Sequence, residues 1–563
     1  MPGGGRRCTS SRTPSEAARV RYVGRTISRL EPLVRCVSVP IPTVDRMYGR
    51  VLAVAVVGVQ GHVIAVEAHV GRGLPALTLA GLPGAAVQDA RERVRPAVES
   101  CGLEWPLRRV VVNLSPAGIR KDGPGLDLPI ALGVLAASAQ IPSDRLRSYA
   151  FAGELSLKGE LVPTAGILAV AVTAAAAGLR GVVVPAANRP EAALVEGIDV
   201  VAPPTLAAVA AYLRGTWHPE SDAPDTADEG PVAPGDAPPE VDFADVRGQE
   251  HARRAAEIAA AGGHNLLMVG PPGAGKTMLA RRLPTILPGM SRAEELDVTR
   301  LHSVAGHLTG GGLIDRRPFR SPHHTISPAG LLGGGTGFLR PGEVSLAHHG
   351  VLFLDELTEF RRDALEGLRQ PLEDGRVVIA RASGAVDFPA RFMLVAAANP
   401  CPCGFIGDAD RACRCPSNRI DSYRQRPSGP LLDRIDLQLT VPRLRRGELL
   451  GAELGESSER IRDRVRAARE RQRIRLRDTP WICNAQVPGR LVRRAGELAP
   501  SAEEILVDAV ERLALSGRGF DRAIRVGRTI ADLAGRPRVE REDVAEALMY
   551  RALAPSFSVA EAG

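Results

Sequence analysis

The chain has 563 residues, a formal net charge of +8, 44% hydrophobic and 24% charged residues. That length exceeds what one hydrophobic core organises, so roughly two to four domains are expected. No run approaches the ~18 uninterrupted apolar residues that a membrane span needs, which sets that class aside. The positive balance is compatible with a nucleic-acid partner without proving one. Lysine occurs only at Lys121, Lys158 and Lys276, the remaining basic residues being Arg.

Residues 1–46 are Arg-rich, poor in acids and without a continuous apolar core. They do not read as a secretory signal. They are expected to be a disordered extension, or the product of a mis-assigned start with Met47 as the working one. From 47 to 214 strand-like runs alternate with Ala-rich helical stretches. "RRVVVNLSP" (108–116) and "GVVVP" (181–185) predict buried strands, and residues 83–102 predict a helix ending at Gly102. Residues 215–242 are acidic and Pro-rich, and cannot bury enough surface to offset the entropy of ordering, so they predict a linker. Residues 243–442 form a second α/β unit, and 443–563 read as helical.

The second unit carries the clearest chemistry. "HNLLMVGPPGAGKTMLARRL" (264–283) is an apolar strand, a Gly-rich loop and a helix. Gly270, Pro271, Pro272, Gly273, Ala274, Gly275, Lys276 and Thr277 fit the phosphate-binding GxxxxGK[ST] pattern in its required context. The glycines let backbone N–H groups approach phosphate oxygens, Lys276 reaches the β/γ-phosphates of ATP, and Thr277 ligands Mg²⁺. "GVLFLDELTEF" (350–360) predicts a buried strand with two carboxylates at its end. Asp355 is placed in the Mg²⁺ shell, and Glu356 is placed to polarise the attacking water. "RFMLVAAANP" (391–400) ends a third strand at Asn399, where a polar group can reach the γ-phosphate. "SGPLLDRIDLQL" (428–439) offers Arg434 to a neighbouring subunit's phosphate, which requires a ring. An internal ion pair of Arg434 with Asp433 or Asp436 is the alternative.

Cys401, Cys403, Cys413 and Cys415 form C-x-C-x9-C-x-C within residues 399–416. Two such pairs can deliver four thiolates to Zn²⁺, free thiols being the alternative. Six of the eleven histidines fall between His302 and His349. Adjacent pairs such as His323–His324 are expected to face opposite ways in an extended segment, and so to make loop or pore contacts rather than a second metal site. Residues 457–478 predict a helix with nine arginines. It is either a solvated connector laced with i,i+4 pairs or a phosphate-binding surface.

Together these motifs resemble the AAA+ ATPases of the magnesium-chelatase-like branch. "SPHHTISPAGLLGGG" (321–335), "LRPGEVSLAHHGVLFLDELTEF" (339–360) and "SGPLLDRIDL" look most like the competence protein ComM family, YifB-type, over residues 47–555. That family usually shows Asn where His349 stands. The resemblance implies a multidomain α/β protein with a Lon-protease-like amino-terminal domain, an AAA+ parallel sheet and a carboxy-terminal helical lid. It implies a cytoplasmic, hexameric ATP hydrolase using Mg²⁺ that drives branch migration on branched, single- or double-stranded DNA during recombination, with recombination proteins as partners. "RGFDRAIRVGRTIADLAG" (518–535) would carry a second sensor, Arg525, with Arg528 as competitor. "RKDGPGLDLPIALG" (120–133) and "GELSLKGELVPTAGIL" (153–168) resemble the Lon peptidase domain, but Gly125 stands where the nucleophilic Ser should be and Leu168 where the Lys should be. No peptidase is expected there. The other readings are a chelatase-type motor subunit serving metal insertion into a tetrapyrrole, and a non-enzymatic scaffold.

Overall fold

The computed structural model describes residues 47–219, 241–308, 312–335, 339–381, 384–408, 411–444, 455–513 and 515–552. The expected extension 1–46 and most of the expected linker lie outside the described residues. Two sheets organise the rest. The first has seven strands in the order Ala76–Ala80, Arg109–Ser115, Gln60–Gly71, Tyr48–Val57, Tyr149–Phe151, Gly181–Val183, Asp199–Val201. Its centre is the long antiparallel pair Tyr48–Val57 and Gln60–Gly71, and the three carboxy-terminal strands add in parallel. Helix Asp127–Ala137 packs on the central pair; all but one of its eleven residues are buried. Gly49 allows that approach, since a Cβ there would stand 2.4 Å from the Gly133 carbonyl oxygen.

The second sheet has five strands in the order Phe319–Arg320, Val351–Leu354, Met393–Ala398, Leu266–Val269, Leu437–Thr440, all parallel. Val351–Leu354, Met393–Ala398 and Leu266–Val269 are buried at every position, as strands covered on both faces should be. The strands and the helix expected over 83–102 are present, the latter as Ala85–Gln88 and Ala90–Ser100, with Gly102 at φ +69°.

The carboxy-terminal helices Ser458–Arg475 and Gly517–Leu533 pack on each other and on helix Glu250–Gly262. Five of the eight arginines of the first reach neighbouring residues outside it, while Arg460, Arg466 and Arg473 stay exposed. Arg462 donates to the Thr285 carbonyl, Arg469 to the Ala260 carbonyl, Arg471 to the Asp532 carbonyl, and Arg464 pairs with Glu257. Arg475 holds the buried Asp532 carboxylate at 2.7 Å. The helix is a strut between the sheet and the lid, and the donors that a phosphate-binding surface would need are largely committed.

The first unit docks on helix Arg292–Ala305 and on the hairpin Arg376–Arg381/Gly384–Pro389. Val59, Leu301 and Phe388 form a buried apolar cluster across the joint. Beside it the buried Glu191 carboxylate accepts from Ser303 Oγ, from the Leu168 N–H at 2.7 Å and from Asn188 Nδ2 at 3.1 Å. Burial pushes that carboxyl upward, and these three donors oppose the shift.

Candidate functional site: a phosphate loop and an arginine face

At the carboxyl end of strand Leu266–Val269 the chain turns through Gly270–Gly275 into helix Lys276–Ile286. Gly273 and Gly275 lie at φ +78° and +88°, which residues with a Cβ rarely adopt. Lys276 is buried, and its Nζ donates to the carbonyls of Gly270 (2.6 Å) and Pro271 (3.0 Å) and to Asn399 Oδ1 (3.2 Å). Burial lowers its ammonium from the ordinary value, and the Asp355 and Glu356 carboxylates pull the other way. Asn399 is there because its strand runs beside Leu266–Val269 in parallel register. Thr277 Oγ1 donates to Asp355 Oδ2 at 2.7 Å. A hydroxyl and a carboxylate converging beside a phosphate loop are the hard oxygen donors that suit Mg²⁺.

Glu356 leaves the strand in a left-handed conformation, φ +52°. The sharp turn sends Asp355 toward Thr277, while Glu356 stays half exposed with Oε2 3.4 Å from His324 Nδ1. His324 is a neighbour that the residue pattern did not assign to this carboxylate. It enters because strand Phe319–Arg320 lies beside Val351–Leu354, a relation of topology with no local signal in the sequence. The His323 and His324 rings lie 4.1 Å apart, and those of His348 and His349 3.9 Å apart. The expectation of opposite-facing pairs is therefore corrected: both pairs sit in turns rather than in extended chain. His348, His349 and Asp297 bring ligand-type atoms within 4.8 Å of one another. His348 Nδ1, however, accepts the Arg391 N–H at 2.9 Å, so its neutral ring carries its proton on Nε2, and Arg300 pairs with Asp297. That chemistry does not suit a cation.

Arg434 and Arg525 lie elsewhere. They line a cavity of about 740 Å³ together with Arg391, Arg469, Arg518 and Arg522. Asn265, Gly350, Met393 and Asp436, at the amino ends of the sheet strands, also line it. The phosphate loop stands at the opposite, carboxyl end. The four-residue strand between them spans about 13 Å, too far for these side chains to reach a triphosphate on their own chain's loop. Arg434 pairs with Glu373 and donates to the Pro430 carbonyl at 2.7 Å, while its Nε has no partner. The alternative pairing with Asp433 or Asp436 is not made. Asp436 is taken by His264 (3.2 Å) and Arg522 (3.3 Å). Burial would raise its carboxyl, but the His264 hydrogen bond and the charges of His264, Arg522 and Arg525 hold it at about 2. Arg525 donates through Nε to the Val487 carbonyl at 2.8 Å. Arg528, its competitor, is 3% exposed and bonded to Asp532 and to the Arg536 and Pro537 carbonyls, inside the lid.

The four cysteines converge. Sγ–Sγ distances are 3.4 Å for Cys401–Cys403, 3.6 Å for Cys401–Cys413 and 3.5 Å for Cys403–Cys413, and all four sulfurs lie within 4.8 Å. In the first unit Gly125 sits 3.8 Å (as Cβ) from Thr164 Oγ1, and Leu168 is fully buried. Lys121 is also fully buried and donates to the carbonyls of Gly81 (2.9 Å) and Pro116, tying two loops together.

Three family descriptions match the chain: "Magnesium chelatase, subunit ChlI" over residues 242–449, "Subunit ChlI of Mg-chelatase" over 66–188, and "Magnesium chelatase, subunit ChlI C-terminal" over 455–551. The chain is 47% identical over 506 residues to a protein of Mycobacterium tuberculosis, an alignment covering 89% of this chain and 98% of the relative. It is 41% identical over 501 residues to the competence protein ComM of Haemophilus influenzae and 40% over 501 residues to YifB of Escherichia coli, each covering 89% of this chain and 96% of the relative. A shorter stretch is 27% identical over 204 residues to the Lon protease of Geobacter metallireducens, 34% of this chain and 24% of that enzyme.

Proposed function

The chain belongs to the ComM/YifB family of magnesium-chelatase-like AAA+ ATPases, and from that premise we propose that it is a ring-forming ATPase, a hexamer, that uses hydrolysis to drive branch migration of DNA during recombination. The observation that supports the ring is the separation of the two halves of the site. Phosphate-binding groups occupy one end of the sheet, and an arginine cavity occupies the other. Stacked head to tail, each subunit's Arg434 and Arg525 would meet the next subunit's triphosphate, as a heterologous interface closing into a ring allows.

Within one subunit, backbone N–H groups of Gly273–Lys276 and the helix start would hold the phosphates. Lys276 is already desolvated, so its charge acts in a site of low dielectric. Thr277 and Asp355 would hold Mg²⁺, which supplies charge neutralisation to the phosphates. Glu356 would accept the proton of the attacking water, Asn399 would orient that water, and the partner arginine would stabilise charge on the transferred phosphoryl group. The first unit, lacking Ser and Lys at 125 and 168, would assist assembly or substrate contact rather than cleave peptides. The cysteine cluster is read as a zinc site.

The DNA assignment is supported by similarity to the competence protein ComM. Its test is a synthetic three-strand or four-way junction. The wild-type chain with ATP and Mg²⁺ should move the junction, and Lys276→Ala and Glu356→Gln should not. Robust ATPase without strand movement would contradict the DNA reading and favour a chelatase-type motor.

A further inference from the structure

We propose that Cys401, Cys403, Cys413 and Cys415 hold one zinc ion, and that the metal-bound loop is a clamp that keeps the phosphate loop in its nucleotide-ready shape; the nucleotide half of this rests on the ATPase reading above.

Four sulfurs around a tetrahedral zinc at about 2.3 Å stand about 3.8 Å apart. The three separations here, 3.4–3.6 Å, fall close to that value. They are far too long for a disulfide, whose sulfurs stand about 2.05 Å apart. Neutral thiols are weak donors and acceptors and would not gather four sulfurs by themselves. The Cys415 N–H points at Cys413 Sγ at 3.4 Å, the kind of contact that stabilises a metal-bound thiolate. Among the described residues the segment buries little apolar surface of its own: Cys401 is buried, and Phe405 and Ile406 are partly buried, Phe405 under the Arg411 guanidinium. Such a segment needs a cross-link to keep one shape, and a metal supplies it.

The clamp follows from where the loop rests. Immediately before the cysteines, Asn399 accepts from Lys276 Nζ. Between the first cysteine pair and the second, Gly404 lies at φ +82° and closes a turn through its N–H on the Cys401 carbonyl at 2.9 Å. At that turn the backbone presses on Pro272 of the phosphate loop: a Cβ on Gly404 would stand 2.5 Å from Pro272 Cδ. After the cysteines, Arg424 returns to the Pro400 carbonyl at 3.2 Å. The start and the middle of the metal loop therefore rest on the phosphate loop, and its far end is tied back to its own start. Loss of the metal frees the middle, and Pro272 loses its support.

The test uses the full chain purified without added metal. Zinc content is measured first, and about one ion per chain is expected. Amide hydrogen exchange of Gly273–Lys276 is then followed without nucleotide, before and after zinc is removed by a thiol-reactive mercurial and a chelator. Exchange should become about tenfold faster in the zinc-free protein and recover on reloading with zinc. Gly404→Ala should keep its zinc yet show the same faster exchange, which separates the contact from the metal. Cys413→Ser should lose zinc; the reversible removal keeps the test intact if that variant does not fold. Well under one zinc per chain would overturn the metal site. Unchanged exchange in a zinc-free chain with retained far-ultraviolet circular dichroism would overturn the clamp. Failure of the wild type to bind a fluorescent ATP analogue would instead defeat the ATPase reading, and the exchange result would stand apart from it.

Discussion

On the proposed function Lys276 and Glu356 would divide the work of one site, and their surroundings predict different failures. Lys276 is buried with its ammonium turned onto loop carbonyls and Asn399, so Lys276→Ala removes the charge that the phosphates would meet. Nucleotide binding should be lost in a fluorescent-analogue titration. Glu356 is half exposed and touches none of the phosphate-loop donors, so Glu356→Gln should bind nucleotide with near wild-type affinity. Its steady-state hydrolysis should fall at least about 100-fold, the scale of a lost general base. Loss of binding by Glu356→Gln, or retained binding by Lys276→Ala, would contradict these roles. The residues of the phosphate loop were legible in the sequence because strand, glycines and lysine are contiguous. Glu373 as the partner of Arg434, and His324 beside Glu356, were not legible. Each is brought in by tertiary packing, His324 through the pairing of strands and Glu373 from helix Arg369–Asp374, which no local pattern encodes.

Among elements, helix Arg292–Ala305 carries the joint between the two units. Leu301 and Ser303 face the first unit, and His302 is buried against the Leu346 carbonyl at 3.2 Å. Burial lowers His302 to about 4 and His348 to about 2 from an ordinary value of 6.5. Both are neutral in the folded chain through the physiological range. Once the pH drops below 6.5 the unfolded chain takes up these protons and the folded chain does not. Stability should therefore fall with falling pH, by about 1.4 kcal/mol per unit for each histidine, continuing to about 4 for His302 and about 2 for His348. Denaturant midpoints measured from pH 7 to 5 should show that slope, and His302→Phe should reduce it. A wild-type midpoint flat over that range would contradict the assignment. Phe388→Ala, which empties the apolar cluster at the joint, should cost about 3–5 kcal/mol and be read in the same experiment. The strands and helices themselves were legible from periodicity, because buried parallel strands are short apolar runs. The arginine helix Ser458–Arg475 was legible as a helix but not as a strut. A charge run looks the same whether its guanidiniums meet water, phosphate or the carbonyls of neighbouring helices.

For the whole molecule, the proposed ring requires the two ends of one sheet to be parts of one active site in different subunits. The distance between the phosphate loop and the arginine cavity follows from the length of strand Leu266–Val269, and a sequence that places Arg434 far downstream of Lys276 does not reveal which end it serves. The most direct measurement is subunit mixing. Lys276→Ala chains keep Arg434 but cannot hold nucleotide; Arg434→Ala chains hold nucleotide but offer no arginine. Each alone should be inactive, with hydrolysis reduced about 10³-fold or more for the arginine loss. Mixed at equal concentration with ATP and Mg²⁺, they should regain a substantial fraction of wild-type ATPase, because the Arg434 of one reaches the nucleotide of the other. Co-assembled mixtures that remain as inactive as their separate components would contradict the shared site.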